Sequence, residues 1–186
     1  MRVALTGTPG TGKTAVGTSL KRQGYTVVQL HRLAQQNSCI DGIDTERVSE
    51  LVDVVKLNSV VKKNYSNDVL VFFEGHLGHL LKAMDKVIVL RCHPEELRRR
   101  LLKKRWSEKK IKENVDAEII DVILCETVEH HPIKDIFEID TTKKDVETVA
   151  QSIAGIVKKN FRPIKTYTIG QIDWSEEILK KIGSCD

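Results

Sequence analysis

"MRVALTGTPGTGKT", residues Met1 to Thr14, opens the chain. Val3 to Thr6 is a short apolar run, and the eight residues behind it place glycine at 7, 10 and 12, then Lys13 and Thr14. This is the GxxxxGK[ST] spacing in its required setting, strand before and helix after. Glycines let successive backbone N–H groups curl inward around a β-phosphate, and the helix opening at Lys13 adds partial positive charge at its N-terminus. Lys13 is expected to reach the β- and γ-phosphates and the Thr14 hydroxyl to ligate Mg²⁺, with Gly10, Gly12 and Ala15 completing the cradle. A glycine turn that merely joins strand to helix would not need all four motif positions. The stretch predicts a nucleoside triphosphate site.

Further along the chain, short apolar runs alternate with amphipathic stretches. Thr26 to Leu30, Val69 to Phe73, Lys86 to Arg91 and Ile136 to Asp140 read as strands. The runs at 3–6, 69–73 and 86–91 are apolar enough for burial on both faces, as in a parallel sheet. Helical patterns lie between them: one from Lys13, one over about Val54 to Tyr65, and one from Pro94 with Glu95 and Glu96 in its first turn. A fourth runs over about Lys110 to Glu129, with Ile111, Val115, Ile119, Val122 and Ile123 on one stripe, and a last one over about Val146 to Lys159. Strand alternating with helix predicts an α/β domain with right-handed crossovers. The segment from Asn160 breaks the pattern and reads as an appendage on the domain surface.

Composition narrows the class. The 186 residues fit one domain with a small appendage, and the net charge of +4 is too mild to imply nucleic acid by itself. Cys39, Cys92, Cys125 and Cys185 form no CxxC pair and read as reduced thiols. No apolar run approaches the roughly 18 residues of a membrane span. A strand and polar glycine loop at the N-terminus are unlike a signal peptide, so a cytoplasmic protein with no membrane partner is expected.

A phosphate loop needs an acid at the end of a neighbouring strand, and Glu74 supplies it, as a ligand to Mg²⁺ or its water. An exposed carboxylate at a strand end is the plainer alternative. His76 is placed to position water or substrate beside the γ-phosphate; His79 reads as a capping or packing residue. Thr142-Lys143-Lys144-Asp145 resembles the guanine-reading [NT]KxD motif. A GTPase switch also needs a glycine at the position of Leu77 in Glu74-Gly75-His76-Leu77, so that reading is set aside. From Arg98 to Lys112, nine of fifteen residues are basic and only Glu108 is acidic. A solvated helix face, an RNA-binding surface and a lid closing over transferring phosphate all fit such a segment.

"GTPGTGKT", "EGHLGHLL", "VIVLRCHPEELRRRL", "WSEKKIKENVDAEIIDV" and "FEIDTT" together resemble the archaeal family named "putative adenylate kinase", related to the sixth, nuclear-type isoenzyme of eukaryotic adenylate kinase. The likeness spans Met1 to about Lys159, and "IDWSEE" (Ile172 to Glu177) resembles the archaeal branch. It implies a P-loop NTPase fold: a five-stranded parallel sheet flanked by helices, with a nucleoside-monophosphate-binding insertion (about 30–53) and a short lid (about 103–113) in a domain of residues 1–159, followed by a tail, 160–186. It implies broad nucleoside monophosphate kinase activity on Mg²⁺-ATP and AMP, ATPase activity, and a part in late maturation of the small ribosomal subunit through a platform ribosomal protein. Lys104 or Arg105 is then the lid cation that touches phosphate. Three departures stand out. Lys104-Arg105-Trp106 replaces the relatives' Arg-Gly-aromatic; Glu74 replaces a frequent Asp; and Gln35 stands where some relatives carry arginine, with Arg32 one helical turn away. A ribosome-assembly ATPase and a small-metabolite kinase of the same topology are the alternatives.

Overall fold

Val3, Ala4 and Leu5 are all fully buried, which a strand achieves only when both of its faces are covered. In the computed structural model, which describes residues 1–44 and 49–178, this run is β1 (Arg2–Thr6) at the centre of a five-stranded sheet. The chain continues through α1 (Lys13–Arg22), β2 (Thr26–Gln29), α2 (Leu30–Gln36), an antiparallel hairpin of β3 (Ile40–Asp44) and β4 (Ser49–Val52), and α3 (Val54–Asn64). Then follow β5 (Val71–Glu74), β6 (Lys86–Arg91), α4 (Pro94–Leu102), α5 (Glu108–Ile119), α6 (Val122–His130), β7 (Ile136–Asp140) and α7 (Val146–Lys158). The large sheet has the order β2-β5-β1-β6-β7, with every pairing parallel.

Alternation along the strands divides the core in two. Val3, Leu5, Phe72, Ile88 and Leu90 face α1 and α7, meeting Val16, Leu20, Val149, Ile153 and Ile156. Ala4, Phe73, Val87 and Val89 face the other way, onto Leu30 and Leu33 of α2, Leu57 and Val61 of α3, and Leu124 of α6. A smaller cluster joins α4 to α5 through Leu97, Leu101, Ile111, Val115 and Ile119. Each fully buried side chain of this size contributes about 1.5–3 kcal/mol. Helix starts are fixed locally: the Asp53, Ser107 and Asp145 side chains accept from Lys56, Lys110 and Thr148 N–H, and Pro94 opens α4.

The single helix expected over 110–129 is two helices. Asp121 takes a left-handed conformation at φ 57° between the end of α5 and the start of α6. The apolar stripe accordingly splits: Ile111, Val115 and Ile119 pack on α4, while Ile123 packs on the main sheet. The third strand begins two residues later than its apolar run, since Val69 is 58 % exposed. After α7 the chain stays on the domain: Phe161 is buried in the main core, and Ile164 and Tyr167 pack beside it. No described helix is long and apolar enough to cross a membrane.

The sheet's topology sets the place of the site. β1 lies between β5 and β6, where the chain's direction of winding reverses, and ligands of open α/β sheets bind beyond the carboxyl ends of strands at such a point. Leu5 and Gln29 both pair with Glu74, so the ends of β1, β2 and β5 are level there.

Candidate functional site

Residues Gly7 to Gly12 connect β1 to α1 across that carboxyl edge, with Gly7, Gly10 and Gly12 at φ 136°, 101° and 104°. A Cβ on Gly7 would stand 2.3 Å from the Leu90 carbonyl oxygen, and one on Gly10 would meet the Leu97 and Leu101 side chains at 2.7 and 2.9 Å. The loop is therefore seated against both the β6 strand and α4. Lys13, on the first turn of α1, folds back so that Nζ donates to the carbonyls of Gly7 at 2.7 Å and Thr8 at 3.0 Å. Burial foremost, with Lys104 acting in the same direction against Glu74 and Glu118, lowers its pKa from 10.5 to about 8. Lys104 thus stands within electrostatic reach of Lys13.

Thr14, one residue on, donates from its hydroxyl to Glu74 Oε1 at 3.0 Å. Glu74 ends β5 and is almost fully buried. A hydroxyl and a carboxylate side by side form a set of hard oxygen donors, the kind Mg²⁺ prefers. Ala15 is exposed beside them on α1. His76 follows Glu74 by two residues and is open to solvent on one side. The protein packed around it, with Lys13, His79 and His31, lowers its pKa to about 4, which keeps the imidazole neutral. His79 points the other way, into the fold. Its Nδ1 meets Thr6 Oγ1 at 3.2 Å and its Nε2 meets Glu126 Oε2 at 2.8 Å, which ties the loop after β5 to β1 and α6.

Beside His76 is a cavity of about 30 Å³, space for one water, lined mainly by Leu30, Ala34, Val52, Leu57 and Leu77 with His31. The segment between β2 and α3 forms its roof. There Gln35 Nε2 donates to Glu50 Oε1 at 3.1 Å, and His31 Nε2 lies 3.6 Å from Glu50. Arg32 is exposed on the same helix.

The basic segment divides into three groups, on α4, in the turn after it, and on α5, where Lys109, Lys110 and Lys112 lie. Arg98, Arg99 and Arg100 belong to α4 and pair with Glu108 and Glu96; Arg100 also donates to the carbonyl of Thr141 at 2.8 Å. Arg99, then Arg100, holds the Glu96 carboxyl down to about 2. Lys103, Lys104 and Arg105 form the turn between α4 and α5 and are exposed, with Arg105 at φ 57°. Lys104 and Lys110 lie over the Trp106 ring at 5.5 and 4.8 Å. Asp145 of the Thr142–Asp145 match caps α7, which accounts for its presence without a base to read.

One functional feature escaped the sequence reading. Arg91, at the end of β6, is buried and pairs with Glu118 at 2.8 Å, Glu138 at 2.5 Å and Asp121. Burial opposes its charge, but these acids, Glu118 foremost, raise its pKa. Burial raises the Glu138 carboxyl, against the pull of Arg91. The network reaches the phosphate loop through Thr8, whose hydroxyl donates to Glu118 Oε2. It reaches the tail through the Gly170 N–H on Glu138 at 3.0 Å and Trp174 Nε1 on Glu118 at 3.4 Å. The available signal was Glu118 itself, an acid one residue before Ile119 on a stripe that faces inward.

A family model described as an AAA domain matches residues 3–121. Over 182 residues the chain is 42% identical to a protein of Archaeoglobus fulgidus named "Putative adenylate kinase", covering 98% of this chain and 96% of that one. Proteins of the same name from Thermococcus onnurineus and Methanocaldococcus jannaschii are 40% and 35% identical, covering 98% and 95% of this chain and 96% and 94% of theirs. Among solved structures, shikimate kinase from Acinetobacter baumannii in complex with shikimate superposes with a TM-score of 0.60 at 21% identity. That match covers 86% of this chain and 93% of the other, and it shares the fold.

Proposed function

The chain belongs to the family of archaeal proteins named "Putative adenylate kinase", and from that premise we propose that it transfers the γ-phosphoryl group of Mg²⁺-ATP to AMP or another nucleoside monophosphate. The observation that carries this reading is the pairing of Lys13, held on the loop carbonyls, with Thr14 on Glu74. Phosphate oxygens would replace those carbonyls as acceptors for Lys13, while the amides around Gly10 and Gly12 and the start of α1 bind the β-phosphate. Thr14 and Glu74 would hold Mg²⁺, which supplies charge neutralisation on the β- and γ-phosphates when bound. Neutral His76 can accept a hydrogen bond from the acceptor or from a water beside the γ-phosphate. The segment from about 103 to 113 is the lid: closing, it brings Lys104 or Arg105 onto the phosphates and excludes water that would compete with the acceptor. The acceptor base enters the apolar cavity under α2 and the hairpin, which must open to admit it, so residues 30–53 are the acceptor-binding region. Catalysis on this reading is positioning and charge neutralisation.

Hydrolysis without an acceptor follows when water reaches the γ-phosphate before the lid closes, so slow ATPase activity accompanies the transfer. The test is direct. Protein, Mg²⁺-ATP and each monophosphate are mixed, and ADP formation is compared with and without acceptor. A rise with one or more monophosphates supports the kinase. Equal turnover with all and with none would overturn it and favour an ATPase acting in ribosome assembly on a ribosomal-protein partner, or a kinase for another small metabolite.

A further inference from the structure

Glu118 lies ten residues into α5, far along the chain from the phosphate loop, yet it is 2 % exposed and its carboxylate bears on that loop directly. Its Oε1 accepts from Arg91 Nε at 2.8 Å, from the Cys92 N–H at 3.0 Å and from Trp174 Nε1 at 3.4 Å. Its Oε2 accepts from the Thr8 hydroxyl. A buried carboxylate is tolerated only where its lone pairs meet donors, and here Thr8 supplies the donor on one oxygen and the body of the protein supplies those on the other. The same Thr8 presents its carbonyl to Lys13 Nζ at 3.0 Å and to the Thr11 N–H at 3.2 Å and Thr11 hydroxyl at 2.9 Å. Thr8 is thus fixed through its side chain while its backbone sets the curl of the loop and the resting place of the lysine.

We propose that Glu118 is a positioning residue for ATP: through the Thr8 hydroxyl it holds the phosphate loop in the shape that receives the phosphates. Thr8 carries one of the two carbonyls that hold Lys13 and lies between Gly7 and Gly10, so freeing its side chain leaves the loop to choose among more conformations before binding. Ordering it then costs affinity, and residual misplacement costs rate. Because α5 starts at Glu108, capped by Ser107 at the end of the lid turn, the carboxylate also joins lid and loop into one mechanical unit; that clause alone rests on the lid reading above.

Thr8→Val removes the hydroxyl with little change of volume, Thr8→Ser keeps it, and Glu118→Gln keeps the shape while losing the charge. Affinity for Mg²⁺-ATP is measured by calorimetry without acceptor, kcat and KM are measured with AMP, and thermal unfolding is followed for each protein. Thr8→Val and Glu118→Gln should each weaken ATP binding on the order of tenfold, Thr8→Ser should stay within about threefold of wild type, and the double variant should be no worse than the weaker single. The midpoint of unfolding should fall somewhat in Thr8→Val, which leaves Glu118 Oε2 buried without its donor, so affinity and rate are compared well below each variant's midpoint, where a purely structural role leaves both unchanged. Wild-type affinity and rate in Thr8→Val, equal losses in Thr8→Val and Thr8→Ser, or multiplied losses in the double variant would overturn the proposal. If Glu118→Gln does not fold, the valine and serine variants decide between these outcomes by themselves. Absence of AMP-dependent turnover in the wild type would end the kinase reading and leave the ATP-affinity comparison in force.

Discussion

Lys13 keeps its ammonium on two loop carbonyls in a site that lowers its pKa to about 8, first by burial. Phosphate binding favours the charged form and must raise that value. A group whose pKa rises on binding contributes affinity in full below its free value, and the contribution declines as pH climbs from the free value towards the bound one. Affinity for ATP should therefore be level below about pH 8 and fall above it, whereas Lys13→Ala should bind weakly with no such decline; a level wild-type profile up to pH 9.5 would remove Lys13 from the phosphates. His76 makes a different claim. Its value of about 4 leaves it neutral across the working range, so it can orient a water or acceptor but not switch there. His76→Ala should lower acceptor-free ATP hydrolysis more than ATP affinity, without altering the shape of the rate profile between pH 5.5 and 7.5. Reduced affinity with unchanged turnover of bound ATP would make it a packing residue. At this scale the sequence was legible wherever covalent spacing sets the chemistry, as from Gly7 to Thr14. Glu118 and Arg91 were not, because 26 residues of chain, including α4 and most of α5, intervene between them before they meet.

Among the elements, the turn between α4 and α5 carries the sharpest consequence. Lys104 acts on Lys13 through space and Arg105 is exposed beside it, whereas the arginines of α4 are engaged by Glu96, Glu108 and Thr141. The nine basic residues that look uniform in one dimension are thus divided three ways: arginines of α4 already paired with acids, the exposed turn at 103–105, and Lys109, Lys110 and Lys112 on α5. Lys104→Ala/Arg105→Ala should cost roughly 2–4 kcal/mol in the transition state for phosphoryl transfer, read as kcat/KM with AMP. Full activity in that variant, together with lost RNA affinity and a flatter salt dependence, would make the segment a nucleic-acid surface instead. Other elements show why periodicity alone falls short. The stripe from Ile111 to Ile123 keeps helical spacing across a break, because a stripe records which face is apolar and not whether the axis continues. Only Asp121 marks the turn, being a residue that tolerates positive φ and here finds Arg91. The β3–β4 hairpin left almost no apolar pattern, since Asp41, Ile43, Glu50 and Leu51 are all exposed.

Over the whole molecule, the alternation of strand and helix announced a parallel α/β sheet, while the order β2-β5-β1-β6-β7 depends on which crossovers pack and is carried by no single segment. The same holds for the chain beyond α7. Its composition suggests a surface appendage, yet it buries Phe161 against Phe137, with ring centroids 5.9 Å apart, and sends Gly170 and Trp174 to the buried acids. Phe161 does so from φ 54°, following Asn160 at φ 51°. A left-handed conformation costs an ordinary residue roughly 1–2 kcal/mol, so the ring's burial has to exceed that for the segment to dock at all. Phe161→Ala deletes the burial and keeps the strain; about 3–5 kcal/mol should be lost in urea unfolding. Phe161→Gly deletes both, at the expense of added freedom in the unfolded chain worth about 0.4–1 kcal/mol. Glycine should therefore be at least as stable as alanine at this position, the reverse of their order inside a helix. If alanine proves the more stable by a kilocalorie, the left-handed turn does not hold Phe161 in the core. A loss below about 1 kcal/mol in both variants would mean that the segment after Lys158 contributes little to the domain it covers.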